Sequence, residues 1–206
     1  MDGTLVDTEP YWIECEHKLV AEFGGTWTDA DASSLIGFDL TDAAVQLRDR
    51  GGVDLEPVEI VERLLDGVVE RVQQQLPWRP GAADLLAACR AEAIPCALVT
   101  MSWRRFADAV IATAPADSFA ATITGDEVSH GKPHPEPYRA AAQALGVDPA
   151  DCVAIEDSRT GVASAIAAGC ATLGVPHVVS LVPAPGLTIV DTLCDVTVDD
   201  LGALLR

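Results

Sequence analysis

The chain has 206 residues, of which 49% are hydrophobic and 22% are charged, a composition that buries a sizeable core and leaves little room for disorder. Acidic residues outnumber basic ones by 32 to 13, and the net charge of −19 disfavours nucleic acid and anionic membranes as partners. Because no apolar run approaches the roughly 20 residues of a membrane span, and the N-terminus lacks the basic and apolar regions of a signal peptide, we predict a cytoplasmic protein.

The first part of the chain is predicted to be helical. Apolar residues recur at helical spacing from residue 9 to residue 75, and no convincing strand lies between them. Glycines interrupt this pattern at Gly24-Gly25, Gly37 and Gly51-Gly52. A rigid break at residues 76–81, with two prolines and a glycine, is predicted to return the chain to its core. These boundaries predict an all-helical cap, residues 9–76, inserted between residues 1–8 and residues 77–206 of an α/β core.

Beyond residue 81, short apolar runs alternate with helical patterns. Strands are predicted at 95–99, 121–124, 152–155, 172–175 and 195–198, and helices at 82–92, 103–113, 135–145 and 160–168. Such alternation predicts a parallel sheet that is covered by helices on both faces. Ligands of these sheets bind beyond the carboxyl ends of the strands, so the residues at those ends are the candidates for function.

Polar residues gather where the predicted strands end, and one also opens the chain. They are Asp2 near the start, Thr100, Met101 and Ser102 after the strand at 95–99, Lys132 after the strand at 121–124, and Glu156 with Asp157 after the strand at 152–155. Each group alone has an ordinary alternative. Hydroxyl residues after a strand commonly cap a helix, an acidic pair can do the same, and a lone lysine is commonly a solvated loop charge.

Together, these groups match the needs of phosphoryl transfer, which depends on charge neutralisation and positioning. Mg²⁺ prefers hard oxygen ligands such as the carboxylates of Asp2, Glu156 and Asp157. Hydroxyl and N–H groups around Thr100 can bind a phosphate at the start of a helix, and Lys132 supplies a compact positive charge. The predicted partner is a small phosphorylated metabolite, with Mg²⁺ as the cofactor; the oligomeric state stays open.

Four stretches of the chain resemble, in order, the four signatures of the haloacid dehalogenase-like (HAD) superfamily. They are Asp-Gly-Thr-Leu-Val-Asp-Thr-Glu, Val-Thr-Met-Ser, Gly-Lys-Pro-His-Pro-Glu-Pro-Tyr and Glu-Asp-Ser-Arg-Thr-Gly-Val. The resemblance covers nearly the whole chain and implies a Rossmann-like α/β core with an inserted cap. A helical insert directly after the first signature is similar to the branch that contains phosphoglycolate phosphatases, sugar-phosphate phosphatases and β-phosphoglucomutase.

The resemblance also implies a role for each matching residue. Asp2 would be the general acid and base, and it would join Glu156 and Asp157 at the Mg²⁺, with Asp157 the more direct ligand. Thr100 would bind the transferred phosphoryl group beside the Met101 amide and Ser102, and Lys132 would join nucleophile and phosphate electrostatically. Trp12, in the cap, is a candidate substrate contact, although aromatic residues in a helical cap more commonly form its core.

One part of the family pattern is missing. The nucleophilic aspartate of the family lies two residues before the acid/base aspartate, and counting back from Asp2 passes beyond Met1. The central first strand of the sheet, which carries that nucleophile, is missing with it. We therefore expect a misassigned start or an incomplete record of a longer protein, and the chain from Met1 to be without the covalent route.

Phosphomonoester hydrolysis is the favoured reaction, and two alternatives stay open. A sugar phosphomutase would need a second phosphate site in the cap, but Trp12 stands where relatives have a histidine, and Leu40 follows Gly37 where they have an arginine. A catalytically inactive phosphate-binding protein would fit the missing nucleophile, but the other signatures are intact. His130 and His134 flank Lys132 and are predicted to be loop histidines, since no third metal ligand is evident nearby.

Overall fold

The computed structural model describes residues 1–35 and 38–205, and these fall into two compact units. One unit comprises Met1–Asp7 and Pro77–Arg206, and the other comprises Thr8–Leu76. Gly37, which the sequence predicts as a break in the helical region, lies outside the described residues. None of the helices within the described ranges combines the length and the apolar character needed to cross a membrane.

The Thr8–Leu76 unit is built from helices in its described part. They are α1 (Glu9–Glu22), α2 (Asp29–Ser33), α3 (Leu40–Asp49) and α4 (Pro57–Gln74). The last of these contacts both α1 and α3. It begins with a proline at its first turn and buries Ile60, Leu64, Val68 and Val72, which recur four residues apart, together with Leu65 beside Leu64. That spacing places them along one face of the helix, and the burial of this face stabilises the helix within the unit.

The other unit contains five parallel strands and five α-helices in its described part. The strands are β1 (Ala97–Val99), β2 (Ala121–Ile123), β3 (Val153–Glu156), β4 (Ala171–Gly174) and β5 (Leu187–Ile189). The helices are α5 (Ala82–Ala91), α6 (Arg104–Thr113), α7 (Glu136–Leu145), α8 (Arg159–Ala168) and α9 (Val198–Ala203), with short 3₁₀ turns at Gly125–Glu127 and Pro149–Asp151. The α/β class with alternating elements is confirmed.

The strands form two sheets instead of the single predicted sheet. β1 pairs with β2, and β4 pairs with both β3 and β5, all in parallel. Among the described residues, neither β1 nor β3 has a second strand partner. Val99 at the end of β1 nevertheless packs against the buried cluster that contains Ala154 of β3 and Tyr138 of α7. The two sheets therefore share an apolar core even though no ladder joins them.

The prediction of a last strand at residues 195–198 is wrong. This segment is a turn that leads into α9, because Thr197 caps that helix: its hydroxyl accepts from the Asp200 N–H, and the Asp200 carboxylate accepts from the Thr197 N–H. The strand forms earlier in the chain, at Leu187–Ile189, where it pairs with β4. A three-residue strand carries too little periodicity to be recognised without its partner.

Candidate active site

The N-terminal residues form a tight turn that lies directly against Asp157. The turn is closed by the Gly3 N–H, which donates to the Val6 carbonyl at 2.8 Å. Gly3 has a φ of +74°, and a β-carbon built on it would lie 2.0 Å from Oδ2 of Asp157. The next residue, Thr4, is buried and donates its hydroxyl to Oδ1 of Asp157 at 2.7 Å. Gly3 thus leaves room for the Asp157 carboxylate, and Thr4, which lies 153 residues before Asp157 in the chain, forms a hydrogen bond to it.

The residues that follow β1 meet the same turn. The Thr100 N–H continues the pairing with β2 by donating to the Ile123 carbonyl at 3.0 Å, which directs the chain beyond the sheet. The Thr100 hydroxyl is buried and accepts from the Ser102 N–H at 3.1 Å. Ser102 then donates its own hydroxyl to Oδ2 of Asp2 at 3.0 Å. This bond fixes the orientation of the Asp2 carboxylate at the end of β1.

Lys132 extends its side chain inward from the segment between β2 and α7. Its ammonium group donates to the Val99 carbonyl at 3.1 Å and lies 2.5 Å from Oε1 of Glu156. It also lies 5.0 Å from the centre of the Tyr138 ring, within the range of a cation–π interaction. Its backbone N–H contacts the Met101 sulfur at 3.2 Å. One lysine therefore joins the ends of β1 and β3.

Glu156 is buried at the end of β3 and is fully engaged by its neighbours. It accepts from Lys132, from the Tyr138 hydroxyl and from the Ser158 hydroxyl. Burial alone would raise the pKa of Glu156, but the charges of the Lys132 ammonium and the Met1 amino group, with the hydrogen bonds from Lys132 and Tyr138, hold that pKa below its ordinary value. Gly161 makes room for the carboxylate, since a β-carbon there would lie 2.0 Å from Oε2. Glu156 therefore has Lys132 and Tyr138 as its direct partners in this structure.

Asp157 has a different electrostatic environment. Burial raises the pKa of its carboxyl group above the ordinary value, against the lowering effect of the Met1 amino group and the Thr4 hydroxyl. A half-buried carboxylate with a raised pKa lacks full compensation for its charge, and a divalent cation would provide it. The carboxylates of Asp2 and Asp157 are hard oxygen donors of the kind that Mg²⁺ takes. The residues at this site fit a Mg²⁺ ion.

The structure brings together most of the residues that the sequence singles out. Hydrogen bonds and contacts link Asp2, Thr100, Met101, Ser102, Lys132, Glu156 and Asp157 into one group at the strand ends. Trp12 lies in α1 of the other unit, where its side chain is half-buried. The sequence reasoning missed Thr4 and Tyr138. Thr4 stands beside Asp2 in the same signature, whereas no sequence signal marks Tyr138 as a partner of Glu156.

A cavity of about 300 Å³ adjoins the site through Thr4, which lines it. Arg79 and His177 line it as well; Arg79 donates to His177 Nδ1 at 2.5 Å, and His177 Nε2 lies 3.2 Å from Oδ1 of Asp7. Because arginine only donates, Nδ1 must accept, and the imidazole proton then lies on Nε2 and points to Asp7. The Arg79 Nε is buried without a partner among the described residues. The lining of this cavity therefore combines the Arg79 guanidinium and the His177 imidazole with the acidic Asp191.

The family model of the haloacid dehalogenase-like hydrolases matches residues 1–175. The chain belongs to this family. Hexitol phosphatase B of Escherichia coli (strain K12) is 30% identical over 182 residues, which cover 85% of this chain and 81% of that protein. The resemblance to the HAD family and to its helical-cap branch is confirmed.

Solved structures of HAD proteins show the same fold. CbbY from Rhodobacter sphaeroides in complex with phosphate matches with a TM-score of 0.85 at 25% identity, covering 98% of this chain and 96% of that chain. A variant of the same CbbY in complex with xylulose-1,5-bisphosphate matches with a TM-score of 0.84 at 25% identity and equal coverage. The predictions of a HAD-like α/β fold and of an enzyme of the phosphatase kind are confirmed. The roles of the individual residues stay predictions.

Proposed function

We propose that this HAD protein is a Mg²⁺-dependent phosphatase that hydrolyses a small phosphorylated metabolite of the sugar or sugar-alcohol class. The observation that carries the proposal is the set of hydrogen bonds that joins the N-terminal turn to the ends of β1 and β3 and to Lys132. These bonds gather carboxylates, hydroxyls and one ammonium from segments up to 153 residues apart. Phosphoryl transfer needs such a combination of acid, base and charge neutralisation.

Asp2 is the proposed general acid and base. It gives a proton to the leaving oxygen and later takes one from the attacking water, and the Ser102 hydroxyl at 3.0 Å holds its carboxylate in position for both steps. The Thr100 hydroxyl and the Met101 N–H bind the transferring phosphoryl group. Lys132 balances the charge of that group, and its pairing with Glu156 keeps the ammonium at the strand ends.

Asp157 would hold the Mg²⁺ ion, whose positive charge would stabilise the negative charge that develops on the transferring phosphoryl oxygens. Asp2, which the sequence also predicts as a metal ligand, is in this proposal kept as the acid and base, because a carboxyl group that carries a proton cannot bind the ion at the same time. The Thr4 hydroxyl, 2.7 Å from Oδ1 of Asp157, fixes one side of that carboxylate and leaves Oδ2 toward the Gly3 backbone. Glu156, which the sequence also predicts as a metal ligand, is in this proposal a positioning residue for Lys132.

The proposed route passes through an aspartyl-phosphate. In the HAD family the attacking carboxylate lies two positions before the acid/base aspartate, which is a position before Met1. The experiment therefore uses the chain extended before Met1 so that an aspartate stands at that position. Two relatives support the substrate class: one is named a hexitol phosphatase, and the other binds xylulose-1,5-bisphosphate.

The test is phosphate release from a generic aryl phosphate and from a panel of sugar and sugar-alcohol phosphates, with Mg²⁺ and with EDTA. We expect turnover that needs Mg²⁺ and that Asp2→Asn abolishes. Asp54→Asn changes an exposed aspartate of the helical unit and serves as the control that retains activity. Preference for a sugar or sugar-alcohol phosphate over the aryl phosphate would support the substrate class.

Two results would overturn the proposal. Metal-independent turnover, or none at all in a folded protein, would favour a phosphate-binding protein without catalysis. Conversion of a sugar phosphate into its isomer without net release of phosphate would favour a phosphomutase. Thermal unfolding of each variant, followed by circular dichroism, separates loss of chemistry from loss of fold.

A further inference from the structure

Two histidines and a glutamate lie together on the outer side of the segment that carries Lys132. Nδ1 of His130 lies 2.8 Å from Oε2 of Glu136, and Nδ1 of His134 lies 3.8 Å from the same oxygen. The two imidazole rings are 4.6 Å apart between centroids and are inclined at 35°. One ligand atom from each residue lies within 4.8 Å of the others. The sequence predicts two loop histidines without a third ligand; in the structure the Glu136 carboxylate lies close enough to both histidines to be one.

The backbone of this segment holds the three side chains close to each other. Glu136 is the first residue of α7, and its carboxylate accepts from the Ser129 N–H at 2.7 Å and from the His130 N–H at 3.0 Å. These bonds bring the start of the segment back to the helix. The His134 carbonyl accepts from the Ser164 hydroxyl of α8 at 2.6 Å, which anchors the other end. The arrangement therefore exists before any ion binds.

The donor types favour a transition-metal ion over Mg²⁺. Imidazole nitrogen suits zinc, copper, nickel and cobalt, whereas Mg²⁺ takes oxygen ligands. Two histidines and one carboxylate form a known zinc ligand set that leaves a position open. Zinc bond lengths of about 2.0–2.2 Å place tetrahedral ligand atoms about 3.3 Å apart. His130 and His134 are exposed, so their rings can rotate closer to meet this spacing.

We propose that His130, His134 and Glu136 bind a divalent transition-metal ion of the zinc class, at a site separate from the Mg²⁺ carboxylates. The net charge of −19 favours cations near the surface. Lys132 lies between the two histidines in the chain, and its ammonium points inward to Glu156. An ion bound by His130 and His134 therefore restrains the chain on both sides of Lys132.

The test is isothermal titration of the full chain with Zn²⁺ in the presence of excess Mg²⁺. We expect one Zn²⁺ per chain with micromolar or tighter affinity, and no competition from Mg²⁺. Loss of a residue that only hydrogen-bonds to a metal ligand commonly lowers metal affinity by about 10–100-fold. Loss of a direct ligand should cost at least as much, so His130→Ala and His134→Ala should each weaken Zn²⁺ binding by about tenfold or more. His17→Ala is the matched control, since His17 lies 3.1 Å from Asp29 on the surface without a third ligand in the described structure.

Equal Zn²⁺ affinity in the parent protein and in both alanine variants would overturn the proposal. Titration with Co²⁺ gives a second readout, because cysteine ligation produces a thiolate charge-transfer band. Such a band, absent after Cys194→Ser, would place the ion at a thiol and would also overturn it. Both measurements record binding and not turnover, so their outcome is independent of whether the protein is a phosphatase.

Discussion

The ammonium of Lys132 lies 2.5 Å from Oε1 of Glu156, and both side chains are almost completely buried. The pair joins the segment before α7 to the end of β3, and the bond from Lys132 to the Val99 carbonyl extends the connection to β1. Since removing one member of a buried ion pair leaves the other charge uncompensated, this pair should control stability as well as the position of the lysine.

Glu156→Gln should destabilise the folded state by about 3–5 kcal/mol at pH 7, because it leaves the Lys132 charge buried without its partner. The pKa of Glu156 is lowered in the folded state, so its contribution is present above the ordinary value of 4.5 and is lost as the pH falls through the lowered one. The difference between parent and variant in urea unfolding should therefore shrink in acid. Glu127→Gln removes the exposed partner of Arg104 and should cost less than about 1 kcal/mol. Equal costs for the two variants would contradict this account.

Asp157→Asn should raise the melting temperature when EDTA removes divalent ions. Burial raises the pKa of Asp157, so stability is lost as the pH rises from the ordinary value of 3.8 through the raised pKa, and the loss is constant above it. The amide oxygen can still accept from Thr4. The parent should gain about 1.4 kcal/mol at a Mg²⁺ concentration ten times the dissociation constant, and the variant should gain nothing. The exposed Asp151→Asn control should keep the parent's response. A Mg²⁺-dependent shift that survives in Asp157→Asn would exclude this residue as a ligand.

Gly161→Ala should lower stability although alanine is the better helix former. Its β-carbon would lie 2.0 Å from Oε2 of Glu156 and would push that carboxylate away from Lys132. We expect a loss of about 1–3 kcal/mol in denaturant unfolding. Gly202→Ala is the matched control in α9. Apart from its chain neighbours and the backbone of its own helix, no atom of the described structure lies within 4 Å of the place that the new β-carbon would take, so the variant should be neutral or gain up to about 1 kcal/mol. If Gly161→Ala were more stable than the parent, the Glu156 carboxylate could not lie as close to Gly161 as it does in the structure.

The helical unit contains a buried acid whose protonation should depend on pH near neutrality. Burial raises the pKa of Glu16 to about 7, against the hydrogen bond that it accepts from the Trp27 indole at 3.0 Å. Because the folded state prefers the protonated form, stability should fall as the pH rises from 4.5 to about 7 and then level off, by roughly 3 kcal/mol in total.

Glu16→Gln should remove this pH dependence and should be more stable than the parent at pH 8, because the amide carries no charge and can still accept from Trp27. Glu14→Gln, on the exposed side of the same helix, is the control that retains the parent's profile. The measurement is thermal unfolding between pH 5 and pH 8. A parent melting temperature that does not change over this range would contradict the prediction.

The sequence by itself determined the elements whose signals are local. The apolar spacing of α4 and the proline at its start lie within one segment, and the strand before Thr100 is marked by its own apolar run. Residues at the strand ends could be selected because parallel strands bring their carboxyl ends to one edge. The strand Leu187–Ile189 could not be found in this way, since its three residues become a strand only by pairing with β4.

Only the tertiary structure decided which partner each side chain takes. The bond from Ser102 to Asp2 joins residues 100 positions apart, and the one from Thr4 to Asp157 spans 153. The sequence predicts Glu156 as a metal ligand, but in the fold it accepts hydrogen bonds from Lys132 and Tyr138. The Lys132 ammonium compensates the Glu156 charge, which burial would otherwise disfavour. Such choices depend on distances and on competing partners in a buried environment, and no local pattern of residues encodes them.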